Sequence, residues 1–124
     1  MASTREIGDQ LVALCNEGRN IEVVEQYYSP DIVSVEAMDC EETPAEVQGI
    51  DAIRQKHQQW YDTMEVCEGK VHGPYMHGSN RFAALFSYKT RERASGKEMN
   101  IDEVAVYTVA DGKIVREEFY YTMD

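Results

Sequence analysis

The sequence predicts an α+β fold, with helices first and then hairpin-linked strands in a curved, mostly antiparallel sheet. Three observations carry this. Apolar residues recur at helical spacing through the first half of the chain. Aromatic and β-branched residues alternate with period two through the second half. Asp111-Gly112 stands between two such alternating runs, the strongest short-range signal for a hairpin.

Each element has its own local reason. Ser3-Thr4-Arg5-Glu6 has the form of a capping box. Ile7, Leu11, Leu14 and Cys15 follow on one helical face, and Gly18 is placed to end that helix in a left-handed conformation. Asn20 can cap a second helix with Ile21, Val24, Tyr27 and Tyr28 on its inner side. Ser29-Pro30-Asp31 breaks it. Ile32 to Glu36 reads as a strand ending in an acid.

Residues 37–48 read as a loop carrying Asp39, Glu41, Glu42, Thr43, Pro44 and Glu46. Connections of this length are often lids or binding loops, and a solvated acidic excursion is the plain alternative. Asp51 is then the expected N-cap of a third helix, with Ile53, His57, Trp60, Tyr61 and Met64 as its inner stripe. Val66–Met76 reads as a strand, and Gly73-Pro74 within it marks a bend or an edge position. Phe82, Ala84, Phe86 and Tyr88 alternate along the next strand.

In the final hairpin, Ile101, Glu103, Ala105, Tyr107 and Val109 share one face. Val115, Glu117, Phe119 and Tyr121 share another. Acids mixed with aromatics make an unusual core surface and suggest the wall of a pocket.

The 124 residues are the size of one domain, and 43% hydrophobic content suffices for one core. A net charge of −11 argues against nucleic acid and against an anionic membrane surface. The N-terminus lacks the apolar stretch of a signal peptide, and no run is long enough to span a bilayer. Cys15, Cys40 and Cys67 form no CxxC pair and no disulfide framework, so a cytoplasmic location is expected. No metal or cofactor is expected. His72 and His77 would point to opposite faces of a regular strand, and there is no metal-binding, nucleophile-elbow or phosphate-loop motif.

Four stretches in order carry a resemblance. They are Gly18 to Val33 (GRNIEVVEQYYSPDIV), Gly49 to Arg54 (GIDAIR), His77 to Ala83 (HGSNRFA) and Asp111 to Tyr120 (DGKIVREEFY). Together they resemble the SnoaL-like branch of the nuclear-transport-factor-2-like (NTF2-like) superfamily, which includes ketosteroid isomerases and polyketide cyclases. The resemblance implies a cone: a bent sheet wrapped around the helices, a pocket at its open end, and homodimers through the outer sheet face.

It further implies a general base at Glu36 and a second acid at Glu103 that holds a developing oxyanion. The tyrosine that completes this site in the isomerases falls on Val12 here. A carboxyl sheltered in an apolar cone has its pKa raised toward the range useful for proton transfer. His57 is the third candidate, and Trp60, Tyr61, Tyr107, Phe119 and Tyr121 are the candidate pocket wall.

Plain alternatives stand beside each of these. Glu36 could be a strand-end charge in water, Glu103 an exposed sheet-face acid, and His57 a satisfied semi-buried histidine. Glu117 could pair with a neighbour such as Arg116 on the outer sheet. The expected function is cofactor-independent acid–base chemistry next to a carbonyl on an apolar or aromatic small molecule. The alternative is a non-catalytic ligand-binding or assembly module of the same fold.

Overall fold

The computed structural model describes residues 1–38 and 44–122. The expected lid or acidic excursion at Asp39, Glu41, Glu42 and Thr43 therefore lies outside the described residues. The order is α1 (Thr4–Asn16), α2 (Asn20–Tyr27), β1 (Tyr28–Val35), β2 (Glu46–Gln48), α3 (Ile50–Thr63), β3 (Met64–His77), β4 (Arg81–Glu92), β5 (Glu98–Ala110) and β6 (Lys113–Tyr120). The six strands form one sheet in the order β2-β1-β6-β5-β4-β3. Every neighbouring pair is antiparallel except β1 with β6, which run parallel.

The ends of α1 match the sequence pattern. The Glu6 N–H donates to Ser3 Oγ at 3.1 Å and the Ser3 N–H to Glu6 Oε1 at 3.4 Å, completing the capping box. At the other end Gly18 has φ +74°. The Arg19 and Gly18 amides donate back to Leu14 and Cys15, the paired bonds that close a helix through a left-handed residue.

The other two helix starts differ from expectation. Asn20 is the first residue of α2 rather than its cap, and Arg19 at the cap position makes no side-chain cap bond. Asp51 lies inside the first turn of α3 and binds Arg54 at 2.8 Å, and Gly49 holds the cap position. Ile21 is 42% exposed, since α2 presents Val23 and Val24 to the core. Within the expected loop, residues 46–48 pair with β1 as the short edge strand β2.

Alternation decides which side chains meet the helices. Phe82, Ala84 and Phe86 of β4 and Ala105, Tyr107 and Val109 of β5 are buried, together with Ile7, Leu11, Leu14, Val24, Ile32 and Ile53. In β6 a bulge interrupts the alternation. Thr108 pairs with Arg116 and Val109 with Ile114, so Val115 is the extra residue. Ile114 takes the buried place, while Glu117, Phe119 and Tyr121 keep the inner face.

Further register shifts lie in β3 and in the β1–β6 pairing, and such bulges bend a sheet. The expected edge position of Gly73-Pro74 holds, since β3 is the outermost strand. It is fastened to α1 by Asn16, whose amide donates to the Val71 carbonyl at 2.9 Å and accepts from the Val71 N–H at 2.8 Å. Gly8 makes the close approach possible, because a Cβ there would sit 2.9 Å from Pro74 Cβ.

Candidate functional site

Three acids project from the inner face of the sheet beside α3: Glu36 just after β1, Glu103 on β5 and Glu117 on β6. Glu117 is 1% exposed. An isolated carboxylate there would be strongly disfavoured, and three groups compensate. The Tyr28 phenol donates to Glu117 Oε2, Ser34 hydrogen-bonds the same carboxyl, and the charge of Lys56 lies nearby. Burial still dominates and pushes the Glu117 carboxyl up. Ser34 and Glu117 are direct partners in the parallel β1–β6 register, which explains why they meet.

Lys56 rises from α3 into this group. Its ammonium ion-pairs with Glu36, donates to Ser34 Oγ at 3.0 Å, and lies 5.1 Å from the centre of the Phe119 ring. Tyr121 donates its phenolic hydrogen to Glu36 Oε2 at 3.0 Å. A continuous series of contacts thus runs from buried Tyr28 through Glu117, Ser34, Lys56 and Glu36 to Tyr121. Among the described residues no buried side-chain nitrogen or oxygen lacks a hydrogen-bond partner.

The Glu103 carboxyl titrates well above an ordinary glutamate. Burial first, and then the charge of Glu36, push its carboxyl up to about 7, against a smaller opposing pull from Lys56. His57 moves the other way, down to about 4. Burial is the main cause, Lys56 adds to it, and Glu36 opposes. His57 is therefore a neutral imidazole at pH 7, able to donate or accept one hydrogen bond but carrying no charge.

An open cleft of about 650 Å³ lies where β1 and β6 run out, lined among others by Glu36, Phe119, Tyr121, Asp102 and Glu118. Phe119 and Tyr121 thus stand at the mouth with Glu36. Trp60 and Tyr61, both partly buried, pack edge to face with ring centres 5.3 Å apart at the end of α3. Tyr107 sits deeper. It is 3% exposed and stacked on Phe82 at 5.0 Å, so it belongs to the core beneath the site. Among the described residues no group of three or more His, Cys, Asp or Glu side chains is arranged to hold a metal ion.

The structure brings Glu36, Glu103, Phe119 and Tyr121 to one end of the sheet, with His57 beside them. Sequence reasoning did not single out Lys56, Ser34 or Tyr28, and it left Glu117 open to an outer-face reading. Signals existed for two of these. Ser34 follows Ile32 and precedes Glu36 at period two, and Lys56 lies three residues after Ile53 on α3. The Tyr28–Glu117 contact joins residues far apart in the chain and left no local trace.

The SnoaL-like domain family profile matches residues 2–121. The chain belongs to the SnoaL-like domain family. A solved structure of a candidate SnoaL-like polyketide cyclase (carbohydrate phosphatase) from Mesorhizobium loti is 39% identical. It superposes with a TM-score of 0.90 over 97% of this chain and 100% of its own.

Two more distant structures share the fold. A candidate isomerase from Bacillus subtilis is 17% identical, with a TM-score of 0.79 over 98% of this chain and 90% of its own. An NTF2-like protein of unknown function from Burkholderia pseudomallei is 13% identical, with a TM-score of 0.76 over 98% and 92%. Comparison with curated proteins finds no match. No helix among the described residues is long and apolar enough to cross a membrane. As a SnoaL-like domain, the chain has the curved sheet and helix arrangement that the resemblance implied.

Proposed function

We propose that this SnoaL-like protein is a cofactor-independent acid–base catalyst for a small apolar or aromatic carbonyl compound in the cytoplasm. The observation that supports it is Glu103: an inward-facing carboxyl pushed up to about 7 by burial and by the charge of Glu36, which itself lines an aromatic-walled cleft. A group that titrates near the working pH is the most effective proton carrier.

In this reading the roles implied by the resemblance are exchanged: Glu36 is held in an ion pair by Lys56, and Glu103 accepts the proton from the carbon next to the carbonyl and returns it. Glu36, ion-paired to Lys56, balances the charge of the site. Trp60, Tyr61, Phe119 and Tyr121 receive the apolar body of the substrate, and neutral His57 offers one further hydrogen bond.

The test does not require the natural substrate. A panel of aryl ketones and β-dicarbonyl compounds in deuterated buffer, followed by proton NMR, reports exchange at the carbon next to the carbonyl. The wild-type protein should accelerate exchange for at least one compound, with an acidic limb near pH 7. Glu103→Gln should slow that exchange roughly a hundredfold. A compound that binds without exchanging would favour the alternative, a ligand-binding module.

The same proposal includes a homodimer through the outer sheet face. Leu85, Val104 and Tyr120 lie in register across β4, β5 and β6, and Val104 and Tyr120 are 39% and 54% exposed. Sedimentation should report a dimer at micromolar concentration and a monomer for Val104→Glu. A wild-type monomer would reject that interface.

A further inference from the structure

Lys56 stands apart from the other bases of the chain. Its side chain is 22% exposed. Every other lysine or arginine in an ion pair is 42% exposed or more, and Lys70, Arg81, Lys97 and Lys113 lie in exposed positions. A lysine gives up hydration and side-chain freedom to sit this way, and its neighbours only partly account for that. An ammonium has three N–H donors. One goes to Glu36 and one to Ser34, and the third has no partner among the described residues.

Packing against the face of Phe119, which lines the cleft, fixes the direction from which the ammonium is held. The charged and titratable groups around it are Glu36, Glu103, Glu117 and His57.

We propose that Lys56 is a catalytic residue whose spare N–H binds the substrate oxygen on which negative charge collects as the neighbouring carbon loses its proton. This rests on the acid–base reading above and names the group that stabilises the intermediate. The step balances with no further reactant. The C–H bond breaks and its proton passes to the Glu103 carboxylate. The freed electron pair forms the carbon–carbon double bond, and the carbonyl π pair moves onto oxygen, which accepts a hydrogen bond from Lys56. Protonation of carbon by Glu103 reverses the flow and releases a ketone, at the same carbon or at a conjugated one. Glu36 and Ser34 hold the ammonium before the charge appears, so little reorganisation is needed when it does. The substrate class that follows is a carbonyl compound with a removable hydrogen beside the carbonyl and an aromatic or apolar body.

The test uses 4-nitrophenol, whose phenolate mimics the oxyanion and absorbs visible light only when ionised. Bound to the wild-type protein, the probe should ionise at lower pH than in buffer. Lys56→Met should abolish that shift and weaken binding of the phenolate at least about tenfold, and Lys56→Arg should retain part of both. Because Lys56→Met leaves Glu36 unpaired, Lys56→Met combined with Glu36→Gln is measured alongside. It removes the pair without adding net charge and should also lose the shift, with circular dichroism confirming that each variant folds. Binding with an unchanged ionisation shift in the double variant would overturn the role of Lys56 and leave the pocket reading standing. No binding by the wild-type protein at millimolar probe would remove the pocket reading and this proposal together.

Discussion

Replacing Glu103 with glutamine should stabilise the protein at alkaline pH while slowing the proton exchange proposed for it. Burial and the charge of Glu36 lift this carboxyl from its ordinary 4.5 to about 7. In the unfolded chain those causes are absent, so between the two values the folded protein binds the extra proton. Folding stability therefore falls as pH rises through that window, and below it the group costs nothing. At about 1.4 kcal/mol per pKa unit, the full cost above pH 7 is roughly 3 kcal/mol.

Glutamine has nearly the same shape and cannot ionise. The difference in unfolding free energy between Glu103→Gln and wild type should be small at pH 5 and approach roughly 3 kcal/mol in favour of the variant at pH 8. His57 acts in the opposite sense. Its folded value of about 4 lies below its ordinary 6.5, so its contribution rises with pH across that range. It is present in both proteins and cancels in the difference.

Urea unfolding followed by Trp60 fluorescence at pH 5, 6, 7 and 8 measures this. A difference that stays flat with pH, or a variant less stable than wild type at pH 8, would refute the assignment of a strained carboxyl at Glu103. Stability gained together with lost exchange activity is the usual mark of a site strained for function.

Two further outcomes are expected. Tyr28→Phe deprives Glu117 of a buried hydrogen bond and should cost about 2 kcal/mol in urea unfolding, with the larger loss at high pH, where Glu117 is driven to ionise. Equal stability at pH 8 would mean that the phenol does not support the carboxyl. Gly8→Val should lower thermal stability by about 2 kcal/mol or more, because a Cβ there would sit 2.9 Å from Pro74 Cβ and 3.3 Å from Phe82 Cγ, which leaves no room. An unchanged melting temperature would show that α1 is not seated on β3 in this way.

Much of the site was legible because strands repeat every two residues. That period placed Glu103 on the inner face of β5, and Glu117, Phe119 and Tyr121 on one face of β6. The same rule failed at Val115, where a bulge that the local sequence does not announce brings Ile114 inward. The stripe on α3 named His57, which lies near Lys56 and Glu36, and Trp60 and Tyr61, which are partly buried at the end of that helix and are not among the residues lining the cleft. It passed over Lys56, because a charged tip on a four-carbon stem reads as solvent-facing unless a partner is known. Tyr107 was legible as inward-facing, though its depth was not. Depth depends on how far the sheet curls over α1, and the stack on Phe82 settles it.

From its residues alone this chain specified its helices, its hairpins and the inward side of each strand, because those follow from backbone periodicity and from capping within a few residues. Tertiary structure decided which distant groups share a space. The parallel pairing of β1 with β6 set Ser34 against Glu117 and brought Tyr28 within reach, and α3 delivered Lys56 between them. Those contacts join segments up to 89 residues apart. Their geometry comes from packing one core under a bent sheet, and the same burial that packs the core moves Glu103 into the range where it can carry a proton.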